Sequence, residues 1–449
     1  MADTDPSKFN ARPPQLGAWV VPILVTMTIV MVLWYFIGTP LEQLGNLLGS
    51  ITLVVLILSG IFLVVSGRCA GNPHRVMVIA IIGAALIIPV YSSIRAHYYF
   101  GQPLLYGLLS ERHWFSLALG PVVYHLVSTG KLHAARLVSC LVVLAWLSLF
   151  WSIGVVCVYL LGGDDVRDLF YLTAVSSSDH RGLRVNLPIY PIIFGALYYL
   201  ARASREDAVA NLVKSSLFMF YVFFVARGRI DMACLLLAML YGIVTSGLLS
   251  RWRTLAALGV IYAVLGSLIP QYDIDPVSEP GESVQGGFWE TNIIARTYRD
   301  IRALLEGEAA IDQGLNARRE SLAVVSSRLV ESPSTLLMGV GRVSNGWRGG
   351  FSGVLDTWFY PQELGILGAI FVYGLILYLA LALWSLYLGR NVLQRTSGTD
   401  NVALIAFRWV LLFWIAKFVS GVPLLGPTQF FLTIFLCLAI ERGGDKRAL

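Results

Sequence analysis

PQYDIDPVSEPGESVQGGFWETNIIARTYRDIRALLEGEAAIDQGLNARRESLAVVSSRLVESPSTLLMGVGRVSNGWRGGFSGV, residues 270–354, is the one extended polar stretch in a chain of 449 residues. It holds eight arginines (Arg296, Arg299, Arg302, Arg318, Arg319, Arg328, Arg342 and Arg348) and no lysine. Long apolar runs flank it on both sides. The whole chain is 57% hydrophobic and only 13% charged, with mean hydropathy +0.71, where soluble domains carry about a quarter charged residues. Apolar runs of about 20 residues match what a hydrocarbon core demands of a helix. A soluble globular protein is excluded, and nothing points to nucleic acid. The expectation is an all-α integral membrane protein of about twelve transmembrane helices, with 270–354 as a large helical loop before the tenth.

Working outward, residues 1–15 are polar and Pro-containing, a head expected to be disordered. Apolar runs follow at Leu16–Ile37, Leu44–Ser66, Arg75–Ser92, His113–Ser128, Arg136–Leu161, Leu187–Ala201, Ala210–Ala226, Ile230–Leu249 and Thr254–Ile269. After the polar stretch come Leu355–Leu388, Ala403–Ser420 and Val422–Ile440, then a tail at 441–449. The organisation is thus a membrane region of about nine helices over 16–269, a loop over 270–354 and about three helices over 355–440. If the head is cytoplasmic, short inner connections collect Arg68, Arg75, Lys131, Arg136, Arg202, Arg205, Arg251, Arg253, Arg390 and Arg395. That bias puts both termini inside and the long loop outside. The five cysteines are scattered along apolar sequence and read as small buried hydrophobes.

Arginines on the outer side then run against the insertion bias. Beyond the loop they include Arg95, Arg112, Arg167, Arg181, Arg184, Arg227 and Arg229. Pairing with nearby carboxylates is one account of them; anion binding is the other. Arg227 and Arg229 interrupt apolar sequence, where a cation needs a partner or a wet cavity. Asp231 is a candidate partner; a phosphate held by a guanidinium fork is another. Within the loop, Phe288–Leu305 and Asn316–Val330 have helical spacing, the second with Leu322, Val325 and Leu329 on one face. Asp356 is placed to cap the tenth helix. Trp289, Trp347, Phe351 and Trp358 are candidate sugar-stacking or interfacial rings.

Four stretches together resemble the O-antigen polymerase and O-antigen ligase superfamily. Ala226-Arg227-Gly228 follows an apolar run. Arg319-Glu320-Ser321-Leu322 precedes Glu331-Ser332-Pro333 and Met338-Gly339-Val340-Gly341. Asp356-Thr357 comes before Glu363-Leu364-Gly365-Ile366-Leu367-Gly368, where the ligases carry His-Asn. Arg184 followed ten residues later by Gly195 is similar to an outer-loop pattern of the polymerases. With Asp356 in place of His, the likeness favours polymerase over ligase.

The resemblance implies a metal-independent glycosyltransferase of the bacterial inner membrane. It would polymerise undecaprenyl-diphosphate-linked oligosaccharide repeat units on the periplasmic face, with no cofactor and with a chain-length regulator as partner. A diphosphate leaving group calls for preorganised cations, and the acceptor hydroxyl for a proton acceptor. The site residues expected are Arg227, Arg319, Arg184 and Arg229 for diphosphate, and Asp356 and Glu320 near the acceptor, with Glu290, Asp300, His180 and His113 behind them. Transfer of glycan to a lipid A core by a ligase is the alternative within the family. A lipid-linked oligosaccharide flippase is the alternative outside it, although the two halves show no obvious repeat.

Overall fold

The computed structural model describes residues 17–32, 42–68, 74–169, 175–178, 182–185, 189–206, 208–226, 229–248, 256, 259–260, 313–355 and 360–445. The chain is a helical membrane protein. Its elements in order are α1 (Gly17–Val32), α2 (Glu42–Val65), α3 (Arg75–Phe100), α4 (Leu104–Ser110), a 3-10 turn at Arg112–Ala118, α5 (Leu119–Ser128) and α6 (Ala134–Leu169). Strands β1 (Val175–Ser178) and β2 (Gly182–Val185) form an antiparallel hairpin. Then come α7 (Tyr190–Ala203), α8 (Ala208–Phe220), a π turn at Tyr221–Ala226 and α9 (Arg229–Thr245). Beyond the loop lie α10 (Gln313–Glu331), α11 (Pro333–Met338), α12 (Gly350–Leu355), α13 (Gly365–Arg395), α14 (Val402–Ala416), α15 (Val422–Leu425) and α16 (Thr428–Asp445).

Among the described residues four stretches are long and apolar enough to cross a membrane: Gln43–Val65, Arg75–Phe100, Ala134–Val158 and Gly365–Arg395. Helix α3 shows how the sequence divides its faces. Val78, Ile81, Ile82, Ala85, Ile88, Ser92 and Ala96 are buried, while Val76, Ile79, Ile87, Val90 and Ile94 are exposed. Apolar residues on both faces are what lipid outside and protein inside require. The helix ends at Gly101, whose φ of 71° closes it with an N–H bond back to the His97 carbonyl.

Several sequence expectations change. The run at His113–Ser128 is no single span: a 3-10 turn leads into a ten-residue helix with six buried residues, packed against α16 and α2. The tenth helix begins at Gly365 rather than Leu355, after a 3-10 turn at Pro361–Leu364, and the residue at its N-terminal boundary is Leu364. Asp356, expected to cap it, lies outside the described residues. The last run divides into α15 and α16. The all-helical expectation is amended by the hairpin, which contains Arg184 paired in register with Ser176. The loop helix expected at Asn316–Val330 is α10, but its buried line is Ser321, Val325 and Leu329, an i, i+4 ridge, and Leu322 is exposed. Helix Phe288–Leu305 and most of Thr254–Ile269 lie outside the described residues.

Candidate functional site

The polar stretch leaves α11 and enters the helical body at Gly339–Val340–Gly341. The amides of Val340 and Gly341 donate to the carbonyls of Phe371 and Val372 at 2.9 Å each. Those carbonyls lie at the break in α13, where Gly374 has φ 81° and ψ 158°. Irregular backbone buried among membrane helices must find its hydrogen bonds inside the protein, and here the interrupted helix supplies them. Glycine is required on both sides. A Cβ on Gly339 would collide with Gly374 N and Val372 O, and one on Gly341 with Ser92 O and Ala96 N of α3.

Helix α3 grips the same segment. Arg95 donates from Nε and a terminal nitrogen to the Gly339 carbonyl at 2.9 and 2.8 Å, and Tyr91 donates to the Met338 carbonyl. Gln102 takes the Ser344 amide at 2.7 Å and donates to the Arg342 carbonyl at 3.2 Å. The Arg342 amide donates to Ser92 Oγ at 2.9 Å. These bonds carry Arg342 to a fully buried carboxylate, Glu111, whose side chain is 0% exposed.

Glu111 accepts from Ser92 Oγ at 2.6 Å through Oε1 and from the Tyr373 hydroxyl at 3.2 Å through Oε2. Trp114 Nε1 donates in turn to the Tyr373 oxygen at 3.1 Å. Arg342 stands 4.0 Å from Glu111 Oε2, one-quarter exposed at 27%, and donates to the Leu425 carbonyl at 3.4 Å. His113 Nε2 lies 3.6 Å from Glu111 Oε2, buried and without a hydrogen-bond partner.

Burial pushes the Glu111 carboxyl above the usual carboxylate range, opposed by Arg342 and by its hydrogen bonds. Burial, followed by the charge of Arg342, holds His113 well below the ordinary imidazole value. A neutral imidazole thus sits beside a carboxyl biased toward its protonated form. Among the described residues no group of three His, Cys, Asp or Glu side chains is arranged to hold a metal ion.

Of the residues expected from sequence, Arg319 and Glu320 are exposed on α10. Arg227, Asp356, His180, Glu290, Asp300, Trp289 and Trp358 lie outside the described residues, as do the side chains of Arg184 and Arg229. Asp231 pairs with Lys417 of the turn after α14. Phe351 is core, packed edge-on to Phe100 and tilted against Phe371, not a sugar platform. Glu111 was the residue missed, although a signal for it exists. It is the one acidic residue between Glu42 and Asp164, and a lone carboxylate in membrane sequence marks a functional candidate. Comparison of the chain with protein-family models, with curated proteins and with solved structures gives no match.

Proposed function

We propose that the chain is a metal-independent membrane glycosyltransferase that polymerises undecaprenyl-diphosphate-linked oligosaccharide units on the outer face of the bacterial inner membrane. Its main support is the placement of Arg342 over Glu111 and His113 by the Gly339–Gly341 segment. In the transfer, the bond from the anomeric carbon to the diphosphate oxygen breaks and the electron pair leaves with the diphosphate. The acceptor hydroxyl oxygen bonds to that carbon and gives up its proton. Arg342, already oriented by the Leu425 carbonyl, meets the charge that grows on the leaving group, and a fixed guanidinium in a water-poor site is worth far more than one in solvent. His113, held neutral, accepts the proton. Arg319 and Glu320, exposed on α10, are candidates for contact with the polar substrate glycan.

Reconstitution in vesicles with lipid-linked repeat units tests this. A ladder of products supports polymerisation. A single transfer onto a lipid A core acceptor moves the assignment to a ligase, and transport without product moves it to a flippase. Arg342→Lys is expected to recover little of what Arg342→Ala loses, because a point charge lacks the two-pronged geometry that phosphate accepts. Full recovery by lysine would count against diphosphate binding there.

A further inference from the structure

A second charged cluster lies at the opposite end of the helical body. From Ser92, which touches the Arg342 amide, α3 runs back 18 residues to His74, about 27 Å at 1.5 Å per residue. That is close to the thickness of a bilayer core. At this end three elements carry basic groups: His74 at the start of α3, Arg395 at the end of α13 and Arg442 near the end of α16. Tyr124 of α5 is the anchor. Its ring is fully buried, packs edge-on to His74 at 5.6 Å, and its hydroxyl accepts from Arg442 at 2.9 Å.

Burial first, then the fields of Arg395 and Arg442, hold His74 below its ordinary value, so both guanidiniums bear on the same imidazole. Among the described residues no carboxylate pairs with Arg395 or Arg442. Other arginines at element ends do find one, as Arg202 does with Glu206 and Arg205 with Asp400. Arg442 is thus fixed by a buried hydroxyl whose ring also packs against His74, and Arg395 bears on that same imidazole.

We propose that Arg395, Arg442 and His74 form a phosphate-binding site that takes the headgroup phosphate of an anionic lipid in the leaflet opposite the Arg342 site. The inference is independent of the proposed catalysis, and its test needs no turnover. The full chain, purified in detergent, is titrated with phosphatidylglycerol, with phosphatidylcholine and with inorganic phosphate, and bound adducts are counted by native mass spectrometry. Wild type is expected to hold phosphatidylglycerol at least about tenfold more tightly than phosphatidylcholine. Near a membrane surface each basic side chain contributes about fivefold, so Arg395→Gln/Arg442→Gln should erase the preference. Arg390→Gln, an exposed arginine on the same helix, should leave it intact.

Since Arg442 also holds Tyr124, thermal stability of the double variant is read alongside. If that falls, Arg395→Gln alone carries the test, with about a fivefold loss expected. Equal binding of both lipids, or a preference that survives the double variant, overturns the proposal. Tight binding of inorganic phosphate that displaces the lipid would keep the site but overturn the lipid as its ligand.

Discussion

Replacing Gly341 by alanine probes the junction on which the candidate site depends, and Gly130→Ala supplies the reference. Both glycines have positive φ, 80° at Gly341 and 76° at Gly130. An L-residue held there costs about 1–2 kcal/mol, and both variants incur that term. They differ in what a Cβ meets. At Gly130 there is nothing within 4 Å, whereas at Gly341 it would strike Ser92 O and Ala96 N. Those are backbone atoms of α3 and cannot rotate aside, so the loop must shift, at an overpacking cost of about 1–3 kcal/mol more. Thermal unfolding of detergent-solubilised protein, followed by reactivity of the buried Cys234 and Cys437 thiols, should place Gly341→Ala below Gly130→Ala by that margin. Activity should separate them further, because Arg342 is the next residue and moves with the loop. Stabilities agreeing within about 0.5 kcal/mol, the scatter of ordinary surface changes, would refute the claim that this segment is wedged against α3.

Glu111→Gln keeps one of the two acceptor oxygens that Ser92 and Tyr373 use and removes titration. Because burial raises the folded carboxyl above its ordinary value of 4.5, wild type should lose stability as pH rises from there toward the raised value. The variant's profile should be flatter; parallel melting-versus-pH curves would remove Glu111 as the source. The Lys417–Asp231 pair joins α9 to the turn after α14, with side chains 11% and 21% exposed. Lys417→Met or Asp231→Asn alone should cost about 3–5 kcal/mol by stranding one charge. The double variant should recover much of the loss in a double-mutant cycle, and simple additivity would show the pair to be uncoupled.

Much of the helical body is legible from apolar run length, since α2, α3 and α6 start within two residues of the runs that predict them. The failures share one cause. Hydrocarbon and protein core select the same side chains, so an apolar run does not say which of the two surrounds it. Leu119, Gly120, Pro121, Val123, Tyr124 and Val127 read as a membrane span and are instead buried among neighbouring helices. Leu355 onward reads as the start of the tenth helix, yet Pro361 and Gly365 delay it by ten residues.

At the site, the balance between local and distant signals is different. The glycines of Gly339-Val340-Gly341 are visible in sequence, but their reason is not. It lies in Ser92 and Ala96, and in Gly374, which yields two helix carbonyls to the entering strand of backbone. For the same reason sequence does not rank the eight loop arginines, which look alike until burial sets Arg342 apart from the exposed Arg319, Arg328 and Arg348. An exposed guanidinium such as Arg319 exchanges its partners with water and contributes about 0–1 kcal/mol to any pairing. Arg342, three-quarters buried beside a carboxyl biased toward neutrality, acts through a lower effective dielectric, where the same charge counts severalfold more. Adding or removing exposed arginines on α10 should therefore move substrate affinity and its salt dependence. Removing Arg342 should move the rate of the bond-breaking step itself, because the charge that step creates has no equally preorganised partner among the described residues.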